Sequence, residues 1–232
     1  MSLTSGRGPL ASRPAGMFFP PVPGPVTYVE PFRRRVRGLL AGTAVVDSDA
    51  VLLVHRPDQP PAYAFPDADV DLDAKASLPD VNGYVIVPWD AVDAWLEEEE
   101  PVLMHPRNPY HRVDCLQSRR RLQVEAGGVV VVDTVQTVAV YETALEPRLY
   151  VSPQLVMGGG LESSPTRTYC RYKGEASYWN LVIGHLVVAD AAWSYERPLA
   201  ESAPILGLVS FDETRVSMAM DLPGPVALTR SL

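Results

Sequence analysis

Arg120-Arg-Leu-Gln-Val-Glu-Ala-Gly-Gly-Val-Val-Val-Val-Asp133 can be laid without a gap over Arg34-Arg-Val-Arg-Gly-Leu-Leu-Ala-Gly-Thr-Ala-Val-Val-Asp47. Each stretch opens on cations, crosses apolar and small residues, and closes on an aspartate. In the same register Val54 meets Val140, Pro61 meets Pro147 and Val70 meets Val156. Similarity held at one offset over this distance is the mark of an internal repeat. The sequence therefore predicts two tandem units rather than one continuous domain.

Outward from these stretches, Asp93-Ala-Trp95 aligns with Asp190-Ala-Ala-Trp193, and Pro101-Val-Leu-Met with Pro204-Ile-Leu-Gly. His111-Arg-Val113 aligns with Thr214-Arg-Val216. The expected division is a proline-rich flexible arm over 1–31, a diverged first copy over 32–116, a second copy over 117–222 and a tail over 223–232. The first copy is shorter between Val70 and Asp93, where the second carries the segment around Cys170. Val129–Val132, Thr137–Tyr141, Tyr178–Ile183, Leu186–Val188 and Gly207–Phe211 are short runs rich in β-branched and aromatic residues, separated by Gly, Pro, Asp and Asn. Such runs predict an all-β, mainly antiparallel fold. One stretch departs from this. Pro88-Trp-Asp-Ala-Val-Asp-Ala-Trp-Leu96 places apolar residues at 89, 92, 95 and 96 behind a proline, the spacing of a short amphipathic helix. In the arm, Phe18-Phe-Pro-Pro-Val-Pro-Gly-Pro25 excludes helix and interior strand, with Phe18 and Phe19 as candidate anchors to the body.

Composition narrows the function classes. The 232 residues are 47% hydrophobic and 21% charged, with a formal charge of -8. An acidic chain argues against a general nucleic-acid or anionic-membrane binder, so neither nucleic acid nor membrane is an expected partner. With Cys115 and Cys170 the only cysteines, no disulfide framework is indicated and a reducing, cytoplasmic setting is expected. No apolar run is long enough to span a bilayer.

The densest chemistry lies in Cys170-Arg-Tyr-Lys-Gly-Glu-Ala-Ser-Tyr-Trp179 and Asp190-Ala-Ala-Trp-Ser-Tyr-Glu-Arg-Pro198. These two segments resemble the hallmark of the domain of unknown function 427 family, Cys-Pro-Tyr-Lys-Gly-Thr-Ala-x-Tyr-Trp followed by Asp-Ala-Ala-Trp-Ser-Tyr-x-x-Pro. The family's Glu-(Ser/Thr) and Arg-x-Tyr features are similar to Glu142-Thr143 and Arg148-Leu-Tyr150. The resemblance covers most of residues 119–221, with the first copy a weaker instance. It implies a tent-like pair of antiparallel sheets, similar to methionine sulfoxide reductase B and the thalidomide-binding domain of cereblon. The structural zinc of those relatives is not implied, since no Cys-x-x-Cys is present. The nucleotidyltransferase heading sometimes attached to the family finds no Gly-Ser turn with spaced aspartates here.

Tyr178, Trp179, Trp193 and Tyr195 offer flat faces for a planar ring or a cation, or else serve as pillars of the second domain's core. Glu142, Arg148, Tyr150 and Lys173 are the polar groups that would orient a ligand among them. If chemistry follows, Cys170 is the candidate nucleophile and Lys173 the candidate acid or base, with packing as the alternative role for the thiol. His105, His111 and Asp114 are broken up by Pro106 and Pro109 and read as an interdomain connector rather than a metal site. The alternating Asp67, Asp69, Asp71 and Asp73 lack the glycine and glutamate of a calcium loop. No metal and no cofactor is therefore indicated. Arg33–Arg35 and Arg119–Arg121 either guard an apolar strand or hold an anion. The expected activity is binding of a small planar or polar metabolite in an aromatic pocket of the second copy. The rival is a non-catalytic protein–protein interaction module, and a homodimer is compatible with either.

Overall fold

The structure is a computed structural model and describes residues 4, 6–18, 21, 24 and 26–224. The chain forms two compact units, Met1–His111 and Arg112–Leu232. Strands dominate both, and helix among the described residues is confined to short 3-10 turns.

In the first unit, β1 (Tyr28–Phe32), β4 (Val51–His55), β5 (Ala62–Pro66), β7 (Tyr84–Ile86) and β6 (Ala76–Ser77) form one antiparallel sheet in the order β1-β4-β5-β7-β6. A second sheet runs β3 (Thr43–Ser48), β2 (Val36–Leu40), β8 (Ala94–Glu97), β9 (Glu100–Val102). Between them Val36, Val46, Leu53, Tyr63, Phe65 and Trp95 make a sealed core. Strand β1 starts inside the segment expected to be arm; it tolerates Pro31 because it pairs only with β4, at the sheet edge. Ahead of it, Thr4, Gly8 and Ala11 are buried and the Thr4 carbonyl accepts from the Asp58 N–H at 2.7 Å. Phe18 is exposed, and Phe19 lies outside the described residues.

The second unit is likewise built from antiparallel sheets. Strands β10 (Val113–Ser118), β13 (Thr137–Glu142) and β14 (Arg148–Tyr150) form one sheet, and β12 (Val129–Thr134), β11 (Leu122–Ala126) and β19 (Ser217–Met220) another. A third, with no counterpart among the described residues of the first unit, runs β15 (Gly160–Cys170), β16 (Gly174–Ile183), β17 (Leu186–Ser194), β18 (Val209–Phe211). The β2–β3 hairpin carries a bulge at Gly38/Leu39 and the β11–β12 hairpin one at the matching Val124/Glu125. Both hairpins turn through two residues of positive φ, Ala41-Gly42 and Gly127-Gly128, the mirror-image turn that suits the twist of paired strands. Arg35 grips Asp47 with two hydrogen bonds of 2.8 and 2.7 Å, and Arg121 grips Asp133 across the same spacing.

Three expectations are corrected by strand pairing. Residues 88–96 are not a helix: a 3-10 turn at Trp89–Ala91 gives way to β8, whose backbone is claimed by β2. Trp95 therefore does not correspond to Trp193. It faces Gly38 across the β2–β8 ladder, where Met218 faces Val124 in the second unit. The segment before Ser118 is not the close of the first copy, since β10 pairs with β13 and so opens the second unit.

The third sheet is covered on both faces. One packs with β11, β12 and β19 around Leu122, Val131, Leu181, Ala192 and Phe211. The other packs with β10, β13 and β14 around Val138, Tyr150, Tyr172, Tyr195 and Ile205. This second interface holds the candidate site.

Candidate functional site

Alternation along β16 and β17 decides which rings meet. Tyr178 is directly opposite Trp193 in the ladder, and Tyr195 follows Trp193 by two, so the three share the face turned to β13 and β14. Trp179 lies on the other face, packed with the Leu122–Phe211 cluster, where its indole N–H donates to Ser194 Oγ at 2.9 Å. That ring is a core pillar and not a wall of the site.

Tyr178, Trp193, Tyr195, Tyr150, Glu142, Arg148 and Lys173 converge on a hollow of about 390 Å³, within the size range of small-molecule sites. Tyr150 is 1% exposed, and its hydroxyl accepts the Trp193 indole N–H at 2.9 Å. The two rings meet nearly edge-on, at 85°. Arg148 spreads over the Trp193 face, 5.8 Å from its centroid, and is held there by Glu213 through a two-point contact. Lys173 and Glu142 form an ion pair with side chains only 11% and 7% exposed. Lys173 reaches it because the chain reverses immediately after it. Gly174 has φ +97°, and a β-carbon there would stand 3.1 Å from the Arg197 carbonyl oxygen, so glycine is required.

Cys170 ends β15 beside the hollow without lining it. Its sulfur is 4.0 Å from Glu142 Oε1 and otherwise packs in the apolar cluster shared with Cys115. Burial pushes the Cys115 thiol up, partly offset by Lys173. Burial likewise holds the Tyr150 and Tyr195 phenols above the ordinary tyrosine range, so both are neutral donors or acceptors at neutral pH.

Sequence reasoning missed Val140, Leu145, Glu146, Ala176 and Glu213, which complete the lining among the described residues. Glu213 follows β18 and meets Arg148 from 65 residues away, so no local pattern announces it. Other singled-out groups serve local structure. Asp67 pairs with Lys75 at 2.7 Å, Asp69 accepts from Ser48, and Asp114 pairs with Arg112. His105 Nδ1 lies 2.8 Å from the Pro106 carbonyl oxygen. No helix among the described residues is long and apolar enough to cross a membrane.

No curated protein matches the chain. A family match covers residues 114–222, from β10 to the end of β19, and so takes in every strand that builds the hollow. The second unit is thus a domain of the family described as domain of unknown function (DUF427).

Proposed function

We propose that the second unit binds a small planar metabolite bearing an amide-like edge, held against Trp193 and Tyr195 with its polar edge on the Lys173–Glu142 pair. The carrying observation is that ion pair, nearly buried and set in the wall of an aromatic hollow. A buried pair costs desolvation that a hydrophobic pair of similar volume avoids, so it adds little to stability by itself. It does present a donor beside an acceptor in a partly dry site, the complement of an amide, urea or heterocyclic base edge. Three carboxylates, Glu142, Glu146 and Glu213, face two cations there, which favours a neutral or cationic ligand over an anionic one.

In this reading the first unit is a diverged copy of the same domain, and the protein works in the cytoplasm. Lys173 is the group placed to exchange a proton with a bound ligand if a reaction follows. Cys170 contributes packing. The test is a thermal-shift screen of a neutral and cationic metabolite library on the native chain, Trp193→Ala and Lys173→Met. Compounds that raise the native melting temperature and lose their effect in both variants support the site. A hit list unchanged by either substitution rejects it.

A second reading has one observation in its favour. Leu186 and Val187 at the β16–β17 turn and Val129 and Val130 on β12 are exposed, and Leu186 lies over Gly127 beside them. A second copy of the chain would cover this apolar group. Sedimentation velocity of native protein against Val187→Asp separates the readings, because a dimer dissolved by the charge would support it.

A further inference from the structure

The sheet β10-β13-β14 carries a second hollow on the same face, two residues further along each strand. Gln117, Val138 and Tyr150 are a continuous row of ladder partners across it, as Cys115, Val140 and Arg148 are beside the aromatic site. The row lines a groove of about 880 Å³. Tyr150 borders both hollows, and the bridge joining Tyr195 to Leu206 puts one residue in each wall. The two are thus separate rooms with a shared partition.

Their chemistry is opposite. Among the described residues no aspartate or glutamate lines the groove, although the chain has 28 acidic residues against 20 Lys and Arg. One cation, Arg119, does. Its neighbours in the triplet are committed: Arg120 donates to the Asp221 carbonyl at 3.0 Å, and Arg121 grips Asp133. Arg119 is exposed and has no ion pair among the described residues. The apolar part of the lining comes from Val135, Leu155, Leu206 and Leu208, with Leu206 59% exposed, beside the neutral polar Gln117, Ser118, Gln136, Thr137 and Ser152.

We infer that this groove binds a small carboxylate with an apolar body, its head on Arg119 and its chain along Leu155, Leu206 and Leu208. A guanidinium matches a carboxylate with two parallel donors. A phosphate-bearing ligand is less suited, because such sites gather several cations or backbone N–H groups where this groove offers one arginine. The apolar wall supplies affinity by removal of surface from water, and the lone charge supplies selection.

The experiment is calorimetric titration of the full chain with octanoate, with octanol and inorganic phosphate as separate arms. Native protein should bind octanoate more tightly than either. Arg119→Gln, on an exposed side chain, should weaken octanoate about 10- to 100-fold, the worth of one charge-assisted contact, and leave octanol unchanged. Arg33→Gln, at the matching position of the first unit, should leave octanoate affinity as in native protein. Absence of octanoate binding, equal affinity for octanol, or an Arg119→Gln variant that binds as native does would overturn the assignment. Phosphate binding as tightly as octanoate would remove the apolar body from it.

Discussion

Where the second unit carries Arg148 and Tyr150 on β14, the first carries Ala62 and Ala64 on β5, in the register set by the matching arginine–aspartate clamps. Ala64 is fully buried with Val54 and Leu78, and Val81, Tyr84 and Ile86 pack against them. Mainly aliphatic side chains, with Tyr84, thus pack in one unit at the strand positions where rings and charges border a hollow in the other. The large rings of the first unit lie elsewhere: Phe65 stacks on Trp95 at 5.8 Å and 2°, with Tyr63 beside them, all nearly inaccessible. Strands β4 and β5 therefore border a sealed core, whereas β13 and β14 border an open hollow covered by β15–β17.

The sharpest test sets Phe65→Ala against Trp193→Ala. Phe65 is 0% exposed, and its truncation should cost about 3–5 kcal/mol in urea unfolding followed by circular dichroism. Trp193 borders a hollow and is only partly buried, so its truncation should cost about 2 kcal/mol while abolishing ligand-induced thermal shifts. Equal losses would make Trp193 a pillar like Phe65, and the contrast between the units would collapse.

Next in size is the ion pair. Glu142→Gln leaves Lys173 nearly buried without its carboxylate and should cost about 3 kcal/mol. The double variant Glu142→Gln, Lys173→Met removes both charges and should recover most of that loss. A double variant no more stable than the single would mean that the pair is a structural device and not a polar edge held for a ligand.

How much of this could be read beforehand follows from the range of the interactions. The frame was legible because its determinants are close in sequence: a clamp spanning twelve residues, a two-residue turn and a bulge recur at one offset. The matching of Asp93–Trp95 to Asp190–Trp193 failed because identical letters there fall in strands with different partners. Apolar residues at 89, 92, 95 and 96 suit a helix, yet the same spacing arises when a 3-10 turn runs into a strand. Most of the hollow's lining was also legible, from ring density and the lysine–glycine turn. Which of Tyr178 and Trp179 faces inward was not, because adjacent strand residues point opposite ways and only the covering sheets decide. Glu213 could not be found, since its link to Arg148 exists only after β14 and β18 come together.

Alkaline pH separates the units more gently. Burial raises Tyr150 and Tyr195, whereas Tyr110 in the first unit is raised chiefly by its hydrogen bond to Glu30, at 2.6 Å. A phenol with a raised folded pKa stays protonated after the unfolded chain has begun to lose its proton, near pH 10. Stability is therefore retained below that point and falls above it, by up to about 1.4 kcal/mol per pH unit for each such tyrosine. Unfolding from pH 9 to pH 12 should show a shallower decline in Tyr195→Phe than in native protein. Parallel curves would mean that Tyr195 is not held neutral by its burial.

The smallest effect bears on the frame itself. Arg35 and Arg121 make the same two-point contact to Asp47 and Asp133, and each depresses its partner carboxylate by hydrogen bonding. Both clamps are largely solvated, and exposed ion pairs contribute little, so Arg35→Gln and Arg121→Gln should each lower the urea midpoint only slightly. The informative quantity is the match between them. Each clamp ties the residue just before the first strand of its hairpin to the second strand beyond the bulge, so each resists the same one-residue slip that would turn core side chains outward. Equal small losses would mean that the two hairpins obey one mechanics despite different cores. A large loss confined to Arg121→Gln would show that the second hairpin depends on its clamp because β11 must hold β19 and, through the adjoining core, the sheet that carries the hollow.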